Sequence, residues 1–101
     1  IHNDDGYISP GYGKVSQESR EALLLAARTE GLILDPVYSS KAFAGLIGHC
    51  RQGIVRPGET VVFCHTGGTP ALFAYAEDVM PPRTPRAELS RRNRGPCTPT
   101  T

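Results

Sequence analysis

The sequence lacks the features that would place it in several large classes of protein. It has no internal repeat and no apolar run near the roughly eighteen residues that a membrane-spanning helix needs, while its lack of tryptophan excludes nothing. Its three cysteines, Cys50, Cys64 and Cys97, share no C-x-x-C spacing, and their odd number argues against a disulfide framework. We therefore expect reduced thiols in a cytoplasmic protein. The histidines and cysteines also lack the spacing of zinc ligands, so no metal site is expected.

Charge divides the chain unevenly. Residues 1–80 carry six Lys or Arg against nine Asp or Glu, whereas residues 81–101 carry five Arg and one Glu. The acidic body lacks the basic footprint of a nucleic-acid-binding protein, so neither nucleic acid nor a membrane is expected as a partner. Residues 81–101 hold five of the nine prolines and almost no apolar side chains. We expect this basic Pro/Arg tail to be disordered.

Apolar periodicity and capping residues predict two helices in the first half of the chain. Ser16 suits an N-cap and Gly31 a C-terminal cap, which predicts a helix at about 16–30. A second helix is expected at about 40–52, because its apolar residues recur at helical spacing and the pair Ser39-Ser40 offers an N-cap.

A strand and a third helix are expected in the second half. The run Thr60-Val61-Val62-Phe63-Cys64-His65 is β-branched and nearly continuously apolar, which is typical of a strand covered on both faces in a parallel sheet. Gly67 and Gly68 end the run, and Thr69-Pro70 then begins a helix at about 70–76. The order helix, helix, strand, helix predicts part of an α/β layer fold whose partner strands come from elsewhere.

Three short segments carry the groups best suited to chemistry. The strongest is His65-Thr66-Gly67-Gly68-Thr69-Pro70, because ligands of open α/β sheets bind at the carboxyl ends of strands. Tyr38 lies between the rigid Asp35-Pro36 turn and a helix start, and Tyr12 lies between glycines. A phenol can act as a general acid or base where its pKa is lowered. The alternatives are an ordinary strand-to-helix turn and tyrosines that only pack.

These segments, in this order and spacing, resemble the C-terminal region of D-cysteine desulfhydrases and 1-aminocyclopropane-1-carboxylate deaminases. The resemblance covers about Tyr7 to Tyr75. It is carried by Tyr7 to Gly13, Ala26-Ala27-Arg28-Thr29-Glu30-Gly31, Leu34-Asp35-Pro36-Val37-Tyr38, Lys41-Ala42-Phe43-Ala44-Gly45-Leu46-Ile47 and His65-Thr66-Gly67-Gly68-Thr69-Pro70-Ala71-Leu72-Phe73-Ala74-Tyr75. The family has the tryptophan-synthase-β-like fold, binds pyridoxal 5′-phosphate, acts on small amino acids, and usually forms homodimers.

The resemblance implies a fold and a set of site residues. Residues 1–80 would be the C-terminal part of a three-layer α/β (tryptophan-synthase-β-like) domain, which is incomplete, and residues 81–101 would lie outside the family pattern. Tyr12 and Tyr38 match the two family tyrosines that are associated with substrate carboxylate contact and proton transfer, so they are the expected catalytic residues. The residues expected to bind the cofactor are Thr66, Gly67, Gly68 and Ser39.

Two departures from the deaminase pattern favour one branch of the family. Ring-opening deaminases carry Glu where this chain has Ser39, and Leu where it has Thr66; desulfhydrases use a threonine at the latter place to contact the pyridine nitrogen. A hydroxyl leaves the ring a weaker electron sink than a carboxylate does, which suits elimination of a good leaving group. We therefore expect a lyase that converts D-cysteine to pyruvate, ammonia and sulfide. Ring-opening deamination and sulfite elimination from cysteate remain the alternatives.

The lysine that binds the cofactor covalently belongs to the family's N-terminal part. The chain has only Lys14 and Lys41, and neither falls at that position in the pattern. Together with a first residue of Ile1 in place of methionine, this indicates a fragment that is inactive by itself. The competing hypothesis is a non-catalytic remnant that serves at most as a packing module.

Overall fold

The computed structural model describes residues 1–80, which form four helices: α1 (Gln17–Glu30), α2 (Ser39–Arg51), α3 (Ala71–Ala74) and α4 (Ala76–Val79). The two long helices, α1 and α2, pack against each other, and α4 contacts α1. Over this part of the chain, no helix has both the length and the hydropathy needed to cross a membrane. The expectation of disorder for 81–101 lies outside the described residues.

Helix α1 begins and ends at the residues that predict it. Ser16 Oγ accepts the Ser19 N–H at 3.1 Å, and Ser19 Oγ accepts the Ser16 N–H at the same distance. This reciprocal pair satisfies two of the free donors at a helix start. At the other end Gly31 has a φ of 64°, a left-handed conformation that favours glycine, and its N–H bonds back to Ala27 O. The helix predicted at about 16–30 is confirmed.

The strand predicted at 60–65 is wrong, and so is the three-layer α/β (tryptophan-synthase-β-like) fold that depends on it. Residues 59–68 have no regular secondary structure, and no strand occurs anywhere among the described residues. A strand persists only when its N–H and C=O groups pair with a neighbouring strand, and residues 1–80 contain none. Val61 and Val62 are 45% and 89% exposed, whereas a strand covered on both faces would bury them. Helix is the regular secondary structure of the described residues, and loops connect the helices.

The predicted third helix is present but divided. Pro70 precedes α3, as the Thr69-Pro70 pair predicts, but the helix ends after a single turn. Tyr75, with φ and ψ of −109° and 18°, separates it from α4. The carboxyl end of the described chain is therefore two short turns rather than one continuous helix.

The core joins the long helices to the end of the described chain. Its buried members are Leu23, Ala26, Leu34 and Val79. Phe43 of α2 meets Phe63 edge to face, with ring centroids 5.2 Å apart and planes at 89°, a favourable geometry for aromatic rings. This pair fastens the loop that follows α2 back onto that helix. Arg20 of α1 also donates from Nε to Val79 O at 3.2 Å.

The N-terminal loop runs along α2, and Asp4 and Tyr7 fix it to the later turns of that helix. His49 Nε2 donates to Asp4 Oδ2 at 2.7 Å, and this hydrogen bond lowers the pKa of Asp4 below its ordinary 3.8. The ring of Tyr7 lies over two glycines one helical turn apart, Gly45 and Gly48. A Cβ at Gly48 would collide with the Tyr7 hydroxyl. The Tyr7 ring can therefore occupy this position only because residue 48 has no side chain.

We expect the two glycines to respond oppositely to alanine. Gly45→Ala should raise the free energy of unfolding by up to about 1 kcal/mol, because alanine favours helix and its Cβ would lie at an ordinary 3.4 Å from the Tyr7 ring. Gly48→Ala should lower it by about 1 kcal/mol, because the ring must move. Urea unfolding measures both.

Tyr7→Ala provides the control for this pair. In that background the collision is gone, so Gly48→Ala should become as favourable as Gly45→Ala. If Gly48→Ala stays unfavourable without the Tyr7 ring, the ring is not the reason that position 48 needs glycine.

Candidate functional site

A buried carboxylate shapes the turn that precedes α2. Asp35 is fully buried and accepts hydrogen bonds from the N–H groups of Val37 at 2.8 Å, Tyr38 at 2.7 Å and Ser39 at 2.8 Å. Its Oδ1 also accepts the Ser39 hydroxyl at 2.6 Å. The first N–H groups of a helix have no partner within the helix, and a nearby carboxylate satisfies them. The predicted cap from Ser39 or Ser40 is therefore wrong, and Asp35 takes that place.

The Asp35 carboxylate stays ionised in this environment. Burial alone would raise its pKa, but hydrogen bonds from the Ser39 side chain and from the N–H groups of Ser39, Tyr38 and Val37 outweigh burial and lower the pKa below 3.8. Asp35 therefore carries a full charge at neutral pH, and the charge strengthens every hydrogen bond that holds the turn.

Two phenols meet above this turn. The hydroxyl oxygens of Tyr12 and Tyr38 are 2.5 Å apart, with ring centroids at 5.9 Å and an interplanar angle of 62°. Both rings are largely exposed. The hydrogen bond with Tyr12, then desolvation, then the nearby Tyr12, Asp35 and Tyr75 raise the pKa of Tyr38 above its ordinary 10.0. Tyr38 therefore holds its proton at neutral pH, and the pair presents an exposed hydrogen-bonding edge.

The loop that contains Gly67 and Gly68, here called the glycine loop, packs against the turn that Asp35 holds before α2. Gly67 and Gly68 have φ of 93° and 85°, which a side chain would strain. A Cβ at Gly68 would lie 3.0 Å from the carboxyl carbon of Asp35, so the loop could not approach the turn as closely with any other residue.

His65 anchors the beginning of this loop. Its Nε2 donates to Ile33 O at 2.8 Å, and its Nδ1 accepts the Gly67 N–H at 3.0 Å. Because a carbonyl can only accept and an N–H can only donate, the two bonds assign a neutral ring with its proton on Nε2. His65 thus joins the loop to the segment just before Asp35.

The expected site residues separate into those that the structure brings together and those it does not. Tyr12 and Tyr38 are in direct contact. Thr66 is exposed near the turn, and no hydrogen bond joins it to either phenol among the described residues. Ser39 is 2% exposed and exchanges two hydrogen bonds with Asp35, so it holds the turn rather than facing a ligand.

Sequence reasoning missed Asp35 as the organising residue. The signal is the carboxylate placed two to four residues before the first N–H groups of a helix, in Asp35-Pro36-Val37-Tyr38-Ser39. Asp in this position satisfies several free donors at once, whereas a serine hydroxyl at the helix start accepts from one or two.

A groove of about 800 Å³ opens beside the phenol pair. This volume falls within the range of about 300 to 1,000 Å³ that is usual for small-molecule sites. Tyr12 and Tyr38 line one part of it, and most of the remaining wall is apolar. Its apolar residues include Ile8, Val37, Leu46, Val55, Val61, Val62 and Phe63. The groove accepts a flat or apolar body with a polar edge directed at the hydroxyls.

The residues present fit one part of a pyridoxal phosphate site. The paired hydroxyls beside an apolar groove suit an aromatic ring with polar substituents. The described residues do not supply a free lysine next to the phenols, because Lys41 Nζ donates to the carbonyls of Ile8 and Gly11. Among residues 1–80, no three His, Cys, Asp or Glu side chains come together as a metal site would need.

No protein-family model matches this chain. The resemblance to the desulfhydrases and deaminases therefore stays a prediction that depends on the motifs, and the geometry of the turn and the phenols stands independently of it.

Asp35→Ala should lower the free energy of unfolding by about 2 kcal/mol at neutral pH, because three N–H groups lose their acceptor. Since the folded-state pKa of Asp35 is lowered, its contribution is present above the unfolded-state value of about 3.9 and disappears as the pH falls through the folded-state value. The difference between variant and wild type should therefore shrink in acid. Asp5→Ala removes the same charge from an exposed site and is the control for urea unfolding across pH. An equal effect of both variants would contradict a capping role.

Tyr12→Phe should lower the pKa of Tyr38 toward its ordinary value, because the largest cause of the increase is the hydrogen bond with Tyr12. Titration of ring-labelled tyrosines by NMR, with Tyr38→Phe to assign the resonance, measures this shift. Tyr7→Phe removes a hydroxyl that lies over α2 and should leave the Tyr38 titration unchanged. An unchanged titration in Tyr12→Phe would show that the two hydroxyls do not meet in solution.

Proposed function

We propose that this chain provides the tyrosine-bearing wall of a pyridoxal-phosphate-dependent lyase that acts on small amino acids. The favoured reaction is β-elimination from D-cysteine, which gives pyruvate, ammonia and sulfide. The observation that carries the proposal is the contact between the hydroxyls of Tyr12 and Tyr38, 2.5 Å apart although the residues are 26 positions apart in the chain. Two exposed phenols held together beside an apolar groove suit the binding of an amino acid and the transfer of its proton.

The chain's own residues divide the work as follows. Tyr12 hydrogen-bonds the substrate carboxylate, and Tyr38 carries the proton on Oη that is transferred. The hydrogen bond with Tyr12 raises the pKa of Tyr38 in the free chain, and engagement of Tyr12 by the substrate removes this cause of the increase. Asp35 fixes the backbone of Tyr38 and so sets the direction of the phenol. Thr66, with Gly67 and Gly68, would contact the cofactor ring. The chemistry that pyridoxal phosphate supplies when bound is withdrawal of electrons from the α-carbon.

The environment of Ser39 supports desulfhydrase chemistry over ring-opening deamination. The deaminases place a carboxylate directly after the second tyrosine, to pair with the pyridine nitrogen. Here that position is occupied by Ser39, whose hydroxyl is buried and bonded to Asp35. No acid is presented from this position, which favours a reaction with a good leaving group. Sulfite elimination from cysteate requires the same groups, and the release of pyruvate and sulfite from cysteate measures it.

Under this proposal, a part of the enzyme outside residues 1–101 supplies the covalent lysine. The chain contains two lysines, and Lys41 is engaged by loop carbonyls, while Lys14 lies exposed in the N-terminal loop. The complete enzyme would join this wall to a lysine-bearing one, and the resemblance favours a homodimer.

The chain alone should bind pyridoxal phosphate weakly and reversibly and should release no sulfide from D-cysteine. Spectrophotometric titration followed by gel filtration measures the first property, and a colorimetric sulfide assay the second. Covalent attachment of the cofactor to Lys14 or Lys41, together with turnover, would contradict the proposal that the covalent lysine lies outside these residues. The absence of any binding by the wild type would favour the non-catalytic alternative.

In a complete enzyme that includes the lysine-bearing part, Tyr38→Phe should reduce turnover of D-cysteine by roughly a hundredfold or more and leave cofactor binding nearly unchanged, because only the proton-carrying group is lost. Tyr7→Phe is the matched control and should keep full turnover. Full turnover by Tyr38→Phe would remove Tyr38 from the reaction.

A further inference from the structure

Lys41 lies in the first turn of α2, three residues after Tyr38, and reaches across to the N-terminal loop. Its Nζ donates to Gly11 O at 2.8 Å and to Ile8 O at 3.3 Å, which lie 30 and 33 positions away in the chain. Two carbonyls from one turn of the loop therefore converge on one ammonium group. An ammonium has three donors, so this geometry uses two of them.

The loop that Lys41 holds is the one that carries Tyr12. Gly11 directly precedes Tyr12, and the turn is closed by a hydrogen bond from Gly11 N–H to Ile8 O at 3.0 Å. The ammonium therefore fixes a preformed turn rather than a loose strand of chain. Because Lys41 and Tyr38 stand at the same end of α2, one helix end sets the position of both phenols.

Apolar burial does little to hold this turn. Ile8 is 64% exposed and Tyr12 is 82% exposed, so neither side chain anchors the loop by leaving water. The other fixed points, at Asp4 and Tyr7, contact α2 at His49 and at Gly45 and Gly48, farther along the helix. Next to Tyr12, Lys41 supplies the hydrogen bonds from α2 to the backbone of the loop.

We propose that Lys41 is a positioning residue whose ammonium holds the turn of Ile8 and Gly11 and thereby keeps the Tyr12 phenol on that of Tyr38. The positioning of Tyr12 by Lys41 does not depend on any reaction, whereas the importance of Lys41 for turnover rests on the proposed function. Without the ammonium, the turn separates from α2 and the Tyr38 hydroxyl loses its partner. The family pattern assigns no role to Lys41. Under this proposal Lys41 positions Tyr12 through its hydrogen bonds to backbone carbonyls.

The test compares three variants of the full chain with the wild type by NMR at neutral pH. The signal is the nuclear Overhauser cross-peak between the rings of Tyr12 and Tyr38, and circular dichroism confirms that the helices persist. Lys41→Met keeps the aliphatic stem and removes the ammonium, so the cross-peak should be lost. Lys41→Arg restores a cationic donor and should retain it. Lys14→Met removes the same charge from the same loop and should also retain it.

A cross-peak of full strength in Lys41→Met would overturn the proposal, and so would its loss in Lys14→Met, because general loss of positive charge would then explain both. A measurement on the wild type guards against failure of the Lys41 variants to fold. The ammonium protons of nitrogen-15-labelled Lys41 should exchange with water at least several-fold more slowly than those of Lys14. Equal exchange rates would also overturn the proposal. Neither readout needs cofactor or substrate, so a failed sulfide assay would count against the proposed function alone.

Discussion

The ionised carboxylate of Asp35 is the interaction on which the described structure depends. It is buried without a salt bridge among residues 1–80, and hydrogen-bond donors at the start of α2 compensate its charge. The partial positive charge of a helix start makes this arrangement favourable. The same group orients Tyr38 through its backbone and forms the surface against which Gly68 packs. One side chain thus joins a helix start, a phenol and a glycine loop.

Local signals made α1 predictable, and their absence explains what went wrong elsewhere. Ser16, Ser19 and Gly31 satisfy the ends of α1 within a few residues, so sequence alone contains the information. The run Thr60-Val61-Val62-Phe63-Cys64-His65 has strand propensity, but a strand is a pairwise structure and its partner cannot be read from the run itself. Within residues 1–80 that partner does not exist, and Phe63 packs on Phe43 instead.

The candidate site was predictable in its members more than in its construction. The local sequence indicates Tyr12 and Tyr38 as separate candidates, and only the resemblance places them at one site, since no spacing rule brings together residues 26 positions apart. Ser39 was expected at the cofactor because the resemblance places it where the deaminases carry a carboxylate, whereas its hydroxyl is buried and bonded to Asp35. Lys41 and His65 donate hydrogen bonds to backbone carbonyls. Because every residue has a carbonyl, the sequence gives no complementary side chain from which these hydrogen bonds could be predicted.

The unpaired segment around Val61 and Val62 also affects how the chain behaves in solution. Val62 is almost wholly exposed, and together with Val61 it forms an exposed apolar patch of β-branched side chains. The net charge of the chain is only +1, so electrostatic repulsion does little to keep two copies apart. Unpaired backbone beside apolar side chains is a template for edge-to-edge association. Because such association is bimolecular, we expect it to increase with protein concentration.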